Sequence, residues 1–364
     1  MRRVVHSLFA IVLAFAGVST LASPAARAED KPSTIRMAYP GVGVGNRPFV
    51  GGNTIAIAHL RGMFEEEFKK DGITVNWTFT RGAGPAVNEL YANGLVDFSL
   101  LGDLPSIIGH AGGLKTRLLA ATSIRQLTYV VVPTDSRIQT VKDLKGKRVA
   151  IFKGTNIQLA AAKILESFGL SEKDLKVVNM DTNSQRAALL TGDIDAAFGD
   201  FSYLPLRDQQ VARVIYRTAE EPKQLRHCSF IGSEGFIQKY PELTTRVVKT
   251  LVRAAKWASD QEKTPNNVFQ LWAKSGTPYS NFKEDVLGRS LTALSSPLID
   301  PFFVGEYTKN ISEAKRFGLI RETFSLEKWI DKRFLDAALK ELALENFWQP
   351  VPAASSVKLA SAAP

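Results

Sequence analysis

Residues 143–180, DLKGKRVAIFKGTNIQLAAAKILESFGLSEKDLKVVNM, contain a complete strand–helix–strand unit. The apolar runs at 148–152 and 175–180 are typical of buried strands, and the residues between them repeat apolar positions with the helical period of 3.6. Thr155 or Asn156 provides the N-cap of this helix, and Gly169 occupies the position after a helix that glycine prefers. The stretch therefore predicts a βαβ unit of a parallel sheet.

The same alternation of strands and helices occurs twice along the chain. The predicted strands lie at 34–39, 73–79, 97–101, 116–121 and 128–133, and then at 148–152, 175–180, 194–199, 212–217 and 227–233. The chain is mostly helical from there to about residue 347. Two consecutive α/β halves predict two lobes, each a mainly parallel sheet flanked by helices, with a ligand cleft between them at the carboxyl ends of the strands.

The first 28 residues have the features of a secretory signal peptide. A basic start is followed by an apolar run at 8–21 and by an A-x-A site at 26–28. We expect cleavage before Glu29 and a periplasmic mature protein, because these three features together specify export. A retained membrane anchor is the alternative, and it needs about 20 apolar residues.

The charge and the cysteine content limit the classes of function. The formal charge of +10 falls to +7 without the three arginines of the first 28 residues, and this basic balance suits an anionic ligand, a nucleic acid or an anionic membrane. We expect no nucleic acid, because no basic cluster has interleaved aromatic residues. Cys228 is the only cysteine, so no intramolecular disulfide can form. No residue spacing indicates a metal, a cofactor or a nucleophile–base pair.

A glycine-rich loop, YPGVGVGNRPFVGGN at 39–53, follows the first predicted strand. Its glycines do not have the spacing of a dinucleotide fingerprint, and it lacks the Lys-Ser/Thr of a phosphate-binding loop. We expect a flexible rim of the first lobe, whose backbone amides reach a ligand and whose polar contacts to it are Asn46 and Thr54. The alternative is a solvent-exposed turn that makes no ligand contact.

Three further loops follow strands and open helices, where free N–H groups and the helix dipole favour an anion. They are RGAGP at 81–85, GDLP at 102–105 and GTN at 154–156. Arg47, Arg81 and Arg125 lie in loops on the predicted cleft side, and Arg81 is the first candidate for an oxyanion contact. The alternative is that these loops are ordinary helix caps and the arginines are solvated.

Several of these stretches in order resemble the sulfonate/taurine/nitrate group of periplasmic solute-binding proteins, which feed ABC importers. The resemblance rests on RGMFEEEF, the segment at 73–113, the segment at 143–180, RAALLTGDIDAAFGD at 186–200 and KYPELTTRVVKTLVRAAKWA at 239–258. It implies a type II periplasmic binding protein fold with crossovers near 127–132 and 227–231. The expected organisation is a signal peptide at 1–28, a first lobe at 32–126 plus 227–347, a second lobe at 127–226 and a disordered tail at 348–364.

The resemblance also implies which residues line the ligand pocket. The family's ligand-lining loops correspond here to Gly82, Gly84, Gly102, Asp103, Pro105, Thr155, Asn156 and Gln158. Asp200 and Tyr203 are added because they follow a strand at its carboxyl end. At that point the chain has Gly-Asp-Phe-Ser at 199–202, where many relatives have Trp-Asp-Pro-Tyr.

The resulting hypothesis is a non-enzymatic, monomeric binding protein that delivers a small anion, of the aliphatic sulfonate, taurine or nitrate type, to the membrane subunits of an ABC importer. An enzyme on the same fold, desulfinase-like or pyrimidine-forming, is one alternative, because fold does not fix function. A desulfinase would need a thiol in a cleft loop, and the opening loop has none. A ligand-sensing partner of a membrane receptor is the other alternative.

Overall fold

The computed structural model describes residues 31–218 and 224–353, so the predicted signal peptide lies outside the described residues. Ten strands form within these ranges. They are β1 Thr34–Tyr39, β2 Thr74–Phe79, β3 Phe98–Gly102, β4 Thr116–Gln126, β5 Tyr129–Pro133, β6 Arg148–Ala150, β7 Lys176–Val178, β8 Ala196–Gly199, β9 Ala212–Arg217 and β10 Arg226–Ser233. Each lies at a predicted strand, although β4 continues five residues further than the apolar run indicated.

The strands form two five-stranded sheets with matching strand orders, β2-β1-β3-β10-β4 and β7-β6-β8-β5-β9. In both sheets the first three strands are parallel and the remaining pairings are antiparallel. The predicted α/β fold with two sheets and flanking helices is confirmed. The sheets are mixed rather than mainly parallel, because β10 in the first sheet and β5 in the second run antiparallel to both of their neighbours.

Fifteen α-helices occur in the described ranges. They are α1 Thr54–Leu60, α2 Met63–Lys69, α3 Ala83–Ala92, α4 Asp103–Ala111, α5 Asn156–Ser167, α6 Thr182–Thr191, α7 Leu204–Asp208, α8 Glu234–Lys239, α9 Pro241–Asp260, α10 Asn266–Ala273, α11 Tyr279–Val286, α12 Leu291–Ser295, α13 Pro301–Arg316, α14 Leu326–Trp329 and α15 Arg333–Glu341. Among them, α5 begins and ends within one residue of its prediction, with Thr155 as its N-cap. In the described part of the chain, no helix combines the length and apolarity that a membrane crossing requires.

The chain leaves the first sheet at residues 127–128 and returns to it between Arg217 and Arg226. The return therefore comes before β10, not within 227–231 as predicted, because β10 pairs along its length with β3 and β4 of the first sheet. The described chain from Ser33 onward forms one compact unit.

The C-terminal helices mostly pack on the first sheet and its helices. Helix α9 contacts α1 and α2, α15 contacts α9, and α13 contacts α4, while α11 reaches the 3₁₀ turn at Phe201–Tyr203. Residues 348–353, which the sequence assigned to a disordered tail, have defined contacts: the indole of Trp348 is buried and donates to Ser259 at 3.1 Å. Residues 354–364 lie outside the described ranges.

An arginine–aspartate pair is repeated at the same place in both sheets. Asp97 accepts from the backbone N–H, Nε and Nη2 of Arg36 on β1, at 2.8, 3.0 and 2.5 Å. Asp195 accepts from the same three groups of Arg148 on β6, at 2.7, 3.3 and 2.8 Å. The side chain of Asp97 is 5% exposed and that of Asp195 is 29% exposed. The two pairs therefore have the same geometry but different burial.

We expect Asp97→Asn to lower the free energy of unfolding by about 2 kcal/mol and the matched Asp195→Asn variant to lower it by about 1 kcal/mol or less. The difference arises because a buried pair loses more when one charged partner is removed. Urea denaturation of both variants measures it. Equal losses of unfolding free energy, or a larger loss for Asp195→Asn, would show that burial does not decide how much each pair contributes.

Candidate functional site

A cavity lies where loops that follow strands of both sheets meet, and we call it the cleft cavity. Its empty space, including the part that is open to solvent, is about 840 Å³. Its walls come from the opening loop, from the start of α3, from the start of α6 and from the loop after β8. The lining residues are Tyr39, Pro40, Gly41, Val42, Val44, Val50, Gly51, Arg81, Ala83, Phe152, Asp181, Thr182, Asn183, Arg186, Asp200, Phe201, Ser202 and Thr277.

A second cavity adjoins the first, and we call it the helical cavity because α10, α11 and α12 form one of its walls. Its empty space, including the part that is open to solvent, is about 590 Å³. Its lining residues are Gly52, Asn53, Thr54, Ser123, Gln126, Leu127, Asp200, Phe201, Arg226, Trp272, Phe282, Asp285, Val286, Arg289, Leu291, Leu294 and Ser295. Asp200 and Phe201 line both cavities, so the two spaces are neighbours across these residues.

At the cleft cavity, the start of α3 is a helix N-terminus without a side-chain cap. Gly82 is its N-cap residue, its first turn has no acidic residue, and Ala83 has a left-handed φ of 51°. Thr80 holds this turn, because its hydroxyl donates to the carbonyl of Ala83 at 3.1 Å. The amide of Ala83 donates to the carbonyl of Thr80 at 3.2 Å and Pro85 has no N–H, so the amides of Gly82 and Gly84 are the donors that this start leaves available to an anion.

At two other helix starts nearby, a carboxylate of the chain itself accepts from backbone amides. Asp181 accepts from the amides of Asn183 and Ser184 at the start of α6, at 3.0 and 3.2 Å. Asp103 accepts from the amide of Leu104 at the start of α4, at 2.7 Å. These starts offer fewer free donors to a ligand than α3 does.

Two arginines, Arg81 and Arg186, line the cleft cavity. Arg81 lies 3.8 Å from Asp181, and its side chain is 58% exposed. Burial opposes ionisation of Asp181, but hydrogen bonds from Ser184 and Asn183, together with the charge of Arg81, hold the pKa of this carboxyl below its usual value. Arg186 on α6 is half-buried and has no hydrogen bond or ion pair within the described ranges 31–218 and 224–353. Its charge is therefore available to a ligand.

The glycines of the opening loop serve close packing. A Cβ on Gly51 would lie 2.6 Å from the ring of Phe282 and 2.8 Å from the carbonyl of Trp272, and a Cβ on Gly52 would lie 2.7 Å from the ring of Phe201. The loop lines both cavities, and its glycines let these aromatic rings approach the backbone. Gly52 also needs glycine because its φ is 84°.

Three of the predicted site residues line the cavities: Thr54, Arg81 and Asp200. Gly82 is next to the lining residue Ala83. Asn46 is exposed and accepts from Asn183 at 3.3 Å, a contact that joins the opening loop to α6. These residues form one group around the cleft.

The remaining predicted side chains contact other parts of the protein instead. Gly84 packs against Pro105, Gly102 packs against Asn156, Gln158 accepts from the amide of Gly154, and Tyr203 is buried with its hydroxyl on Gln185. Thr155 donates to the carbonyl of Phe152, and Arg125 stacks on the ring of Phe302. The sequence could place these residues at the carboxyl ends of strands. It could not predict the direction in which each side chain points.

Asp103 belongs to a buried polar network between α4, α5, α13 and β10. Its carboxylate accepts from the amide of His227 at 3.2 Å and from Asn310 at 3.0 Å. Lys163 on α5 donates to Asn310 and forms an ion pair with Glu313 at 2.8 Å. Burial raises the pKa of Asp103 to about 6, although the charge of Lys163 acts in the opposite direction. The network links α5, beside the second sheet, to helices of the first.

Several residues that line the two cavities could not be identified as site residues from the sequence. Arg226 of β10 donates to Thr128 and lies 3.3 Å from Asn156, and Arg289 pairs with Asp285 in the helical region. Burial raises the pKa of Asp285 and lowers the pKa of Arg289. Arg186 could have been found, because DTNSQR at 181–186 follows a strand and begins with an N-cap residue.

The site contains no group of side chains suited to a metal ion within the described residues. A model of the family described as NMT1/THI5 like matches residues 58–264. The chain belongs to the NMT1/THI5-like family. A solved structure of a candidate periplasmic sulfonate-binding protein from Methylobacillus flagellatus KT is 30% identical, with a TM-score of 0.72, and the match covers 88% of this chain and 97% of that one.

Two further relatives define what the similarity supports. A candidate aliphatic sulfonates-binding protein of Bacillus subtilis (strain 168) is 28% identical over 57% of this chain, and the match spans only 62% of that relative's length. A solved desulfurization enzyme is 17% identical, with a TM-score of 0.62 and coverage of 85% and 99% of the two chains. The enzyme shares the fold alone, so the fold is used by both binding proteins and enzymes.

The pH dependence of stability tests the assignment of His227 as a buried neutral residue. Its Nδ1 accepts from the amide of Arg125 at 3.3 Å, and burial, reinforced by the charges of Lys163 and Arg125, lowers its pKa to about 3. Between pH 6.5 and 3 the unfolded chain binds a proton at His227 and the folded chain does not. Stability is therefore lost as pH falls through this window.

We expect His227→Asn, which keeps an acceptor near Nδ1, to remove this part of the pH dependence. The difference between the wild-type and variant free energies of unfolding should change by up to about 1.4 kcal/mol per pH unit between pH 6.5 and 4. Denaturant titrations at several pH values measure it. A difference that is independent of pH would show that His227 is not held neutral.

Proposed function

We propose that this protein is an extracytoplasmic solute-binding protein that captures a small anion, of the sulfonate class, and delivers it to an ABC importer. One observation carries the proposal: the uncapped start of α3 lines the cleft cavity together with Arg186, whose charge has no partner within the described ranges. Free amides and an unpaired guanidinium together are a strong combination for an oxyanion. The names of the relatives from M. flagellatus and B. subtilis support a sulfonate.

The ligand-contacting residues in this proposal are Arg81, Gly82 and Ala83 at the start of α3 and Arg186 on α6, whereas Asp200 lines the cavity without contacting the anion. The carboxylate of Asp200 accepts from the amide of Ser202 at 3.0 Å, so it is turned toward the backbone of its own loop. The cations of the site are then free to face the ligand. The negative charge of a sulfonate would lie between groups from both sheets.

Ligand binding would be coupled to closure of two lobes, one at 32–126 plus 227–347 and one at 127–226. Support comes from contacts that join loops of the two sheets across the cleft, such as Arg81 to Asp181 and Asn183 to Asn46. A ligand that contacts both sides favours the closed state by its differential affinity. Closure would present both lobe surfaces to the importer's membrane subunits.

An enzymatic role of the desulfinase type has less support. Cys228, the only cysteine of the chain, is 3% exposed, and burial raises the pKa of its thiol to about 12. A nucleophilic cysteine needs a lowered pKa and access to the substrate. Cys228 has neither property, so capture and delivery explain the site better than this chemistry does.

Anion binding tests the proposal directly. At 100 times its dissociation constant a ligand stabilises the folded state by about 2.7 kcal/mol, which a thermal shift detects. We expect a response to ethanesulfonate, taurine or nitrate. Arg186→Gln should weaken the affinity for the responding anion by roughly 10- to 100-fold, because it removes a charged hydrogen bond.

Arg137→Gln is the matched control, since Arg137 is exposed, lies in the second-sheet segment of the chain and lines neither cavity. It should change the affinity by less than twofold. If no anion shifts the melting temperature while neutral sugars or cations do, the anion assignment is wrong. If Arg186→Gln binds as the wild type does, the ligand does not lie at α6.

A further inference from the structure

The formal charges around the cleft cavity cancel. The charged side chains that line it within residues 31–218 and 224–353 are those of Arg81, Arg186, Asp181 and Asp200, so two guanidiniums and two carboxylates give a total of zero. The start of α3 adds only the partial positive charge of a helix N-terminus. This balance suits an anion with a single charge, because a second charge on the anion has no cation to balance it.

The carboxylate of Asp181 is fixed by the first turn of α6. Its Oδ1 accepts from the amides of Asn183 and Ser184 at 3.0 and 3.2 Å, and its Oδ2 accepts from the hydroxyl of Ser184 at 2.7 Å. The carboxylate cannot turn away from the cavity without losing these partners, which cap the helix. Its negative charge is therefore a permanent part of the cavity wall.

These hydrogen bonds also decide how Asp181 acts on a ligand. Because both carboxylate oxygens already accept from the chain itself, the main effect of Asp181 on a ligand is that of its charge. Burial favours the neutral carboxyl, but the hydrogen bonds and the charge of Arg81 outweigh burial and hold the pKa below its usual value. Asp181 is thus ionised at neutral pH and has no proton to donate to an anion.

The ion pair with Arg81 connects this charge to the proposed anion position. Nη2 of Arg81 lies 3.8 Å from Oδ2 of Asp181, and Arg81 immediately precedes the uncapped start of α3. An anion at this helix start therefore lies near Asp181 as well as near Arg81. The carboxylate repels an anion with two charges twice as strongly as an anion with one.

We propose that Asp181 is a specificity-determining residue, whose fixed charge lets the cleft accept a sulfonate with one negative charge and reject tetrahedral anions with two. This inference rests on the proposed function, because it assumes that the anion lies between the start of α3 and Arg186. Shape alone separates these anions poorly, since a sulfonate head and a sulfate ion have nearly the same size and the same oxygen acceptors. Repulsion by Asp181 distinguishes them by charge.

Three probes separate the charge of the ligand from its shape. Ethanesulfonate and ethylphosphonate have the same arrangement of heavy atoms, but at pH 9 the first carries one negative charge and the second carries two. Sulfate is a dianion without the ethyl group. Calorimetry at pH 9 should show that ethanesulfonate binds the wild type roughly tenfold or more tighter than either dianion, because one further unit of repulsion a few ångströms away has about this effect near a protein surface.

Asp181→Asn removes the charge and keeps an acceptor for the two amides of α6. The preference for ethanesulfonate over ethylphosphonate should fall by roughly fivefold or more, mainly through tighter binding of ethylphosphonate. The matched control is Asp174→Asn, because Asp174 also accepts from an amide and a hydroxyl, both of Ser171 at 2.9 Å, but lines neither cavity. This control should leave the preference within twofold, whereas loss of helix capping alone would lower stability without changing the preference.

Taurine tests the opposite role for Asp181, in which the carboxylate attracts an ammonium group of the ligand. If Asp181→Asn weakens taurine binding more than tenfold and ethanesulfonate binding less than twofold, the inference is wrong. An unchanged preference in Asp181→Asn also overturns it, as does a wild type that binds ethylphosphonate as tightly as ethanesulfonate, and in these cases the proposed function stands. If the wild type binds no sulfonate, the proposed function fails together with this inference.

Discussion

The arrangement of the molecule depends on where helices must begin. In both sheets the three parallel strands end at the same edge, and the helices that follow them start there with amide groups that have no partner within the helix. Loops after strands of both sheets line one cavity. The starts of α3 and α6 therefore border the same cavity, and a ligand that accepts hydrogen bonds suits the donors that stay unpaired there.

Some of these helix starts are occupied by the chain's own oxygens, which leaves fewer free amides for a ligand. Asp181 caps α6 and Asn53 caps α1 by accepting from the amide of Ala56 at 2.8 Å, and Asp103 accepts from the amide of Leu104 in the first turn of α4. The start of α3 has no such cap. The C-terminal helices then add a second space beside it, which both apolar and charged side chains line.

The sequence predicts the elements of this fold well and the site only in part. All ten strands lie where apolar runs indicated, and α5 is found where its N-cap and Gly169 predicted it, because strand and helix periods are local properties. Side-chain direction is not local: Tyr203 follows a strand as predicted, yet its ring packs on Gly199 in the core. Arg289 lies in a helical region whose position in space depends on tertiary packing, so its place in the cavity could not be read from spacing.

Closure of the two lobes around an anion is the central claim, and the distance between their rims tests it most directly. Spin labels at Arg47→Cys and Lys153→Cys occupy exposed positions beside the cleft, and the buried native Cys228 should remain unlabelled. Double electron–electron resonance should show a broad distribution of the distance between the two labels without ligand. With a saturating sulfonate the distribution should become narrower and its mean distance shorter. A sulfonate that binds, yet leaves the distribution unchanged, would contradict binding between the lobes.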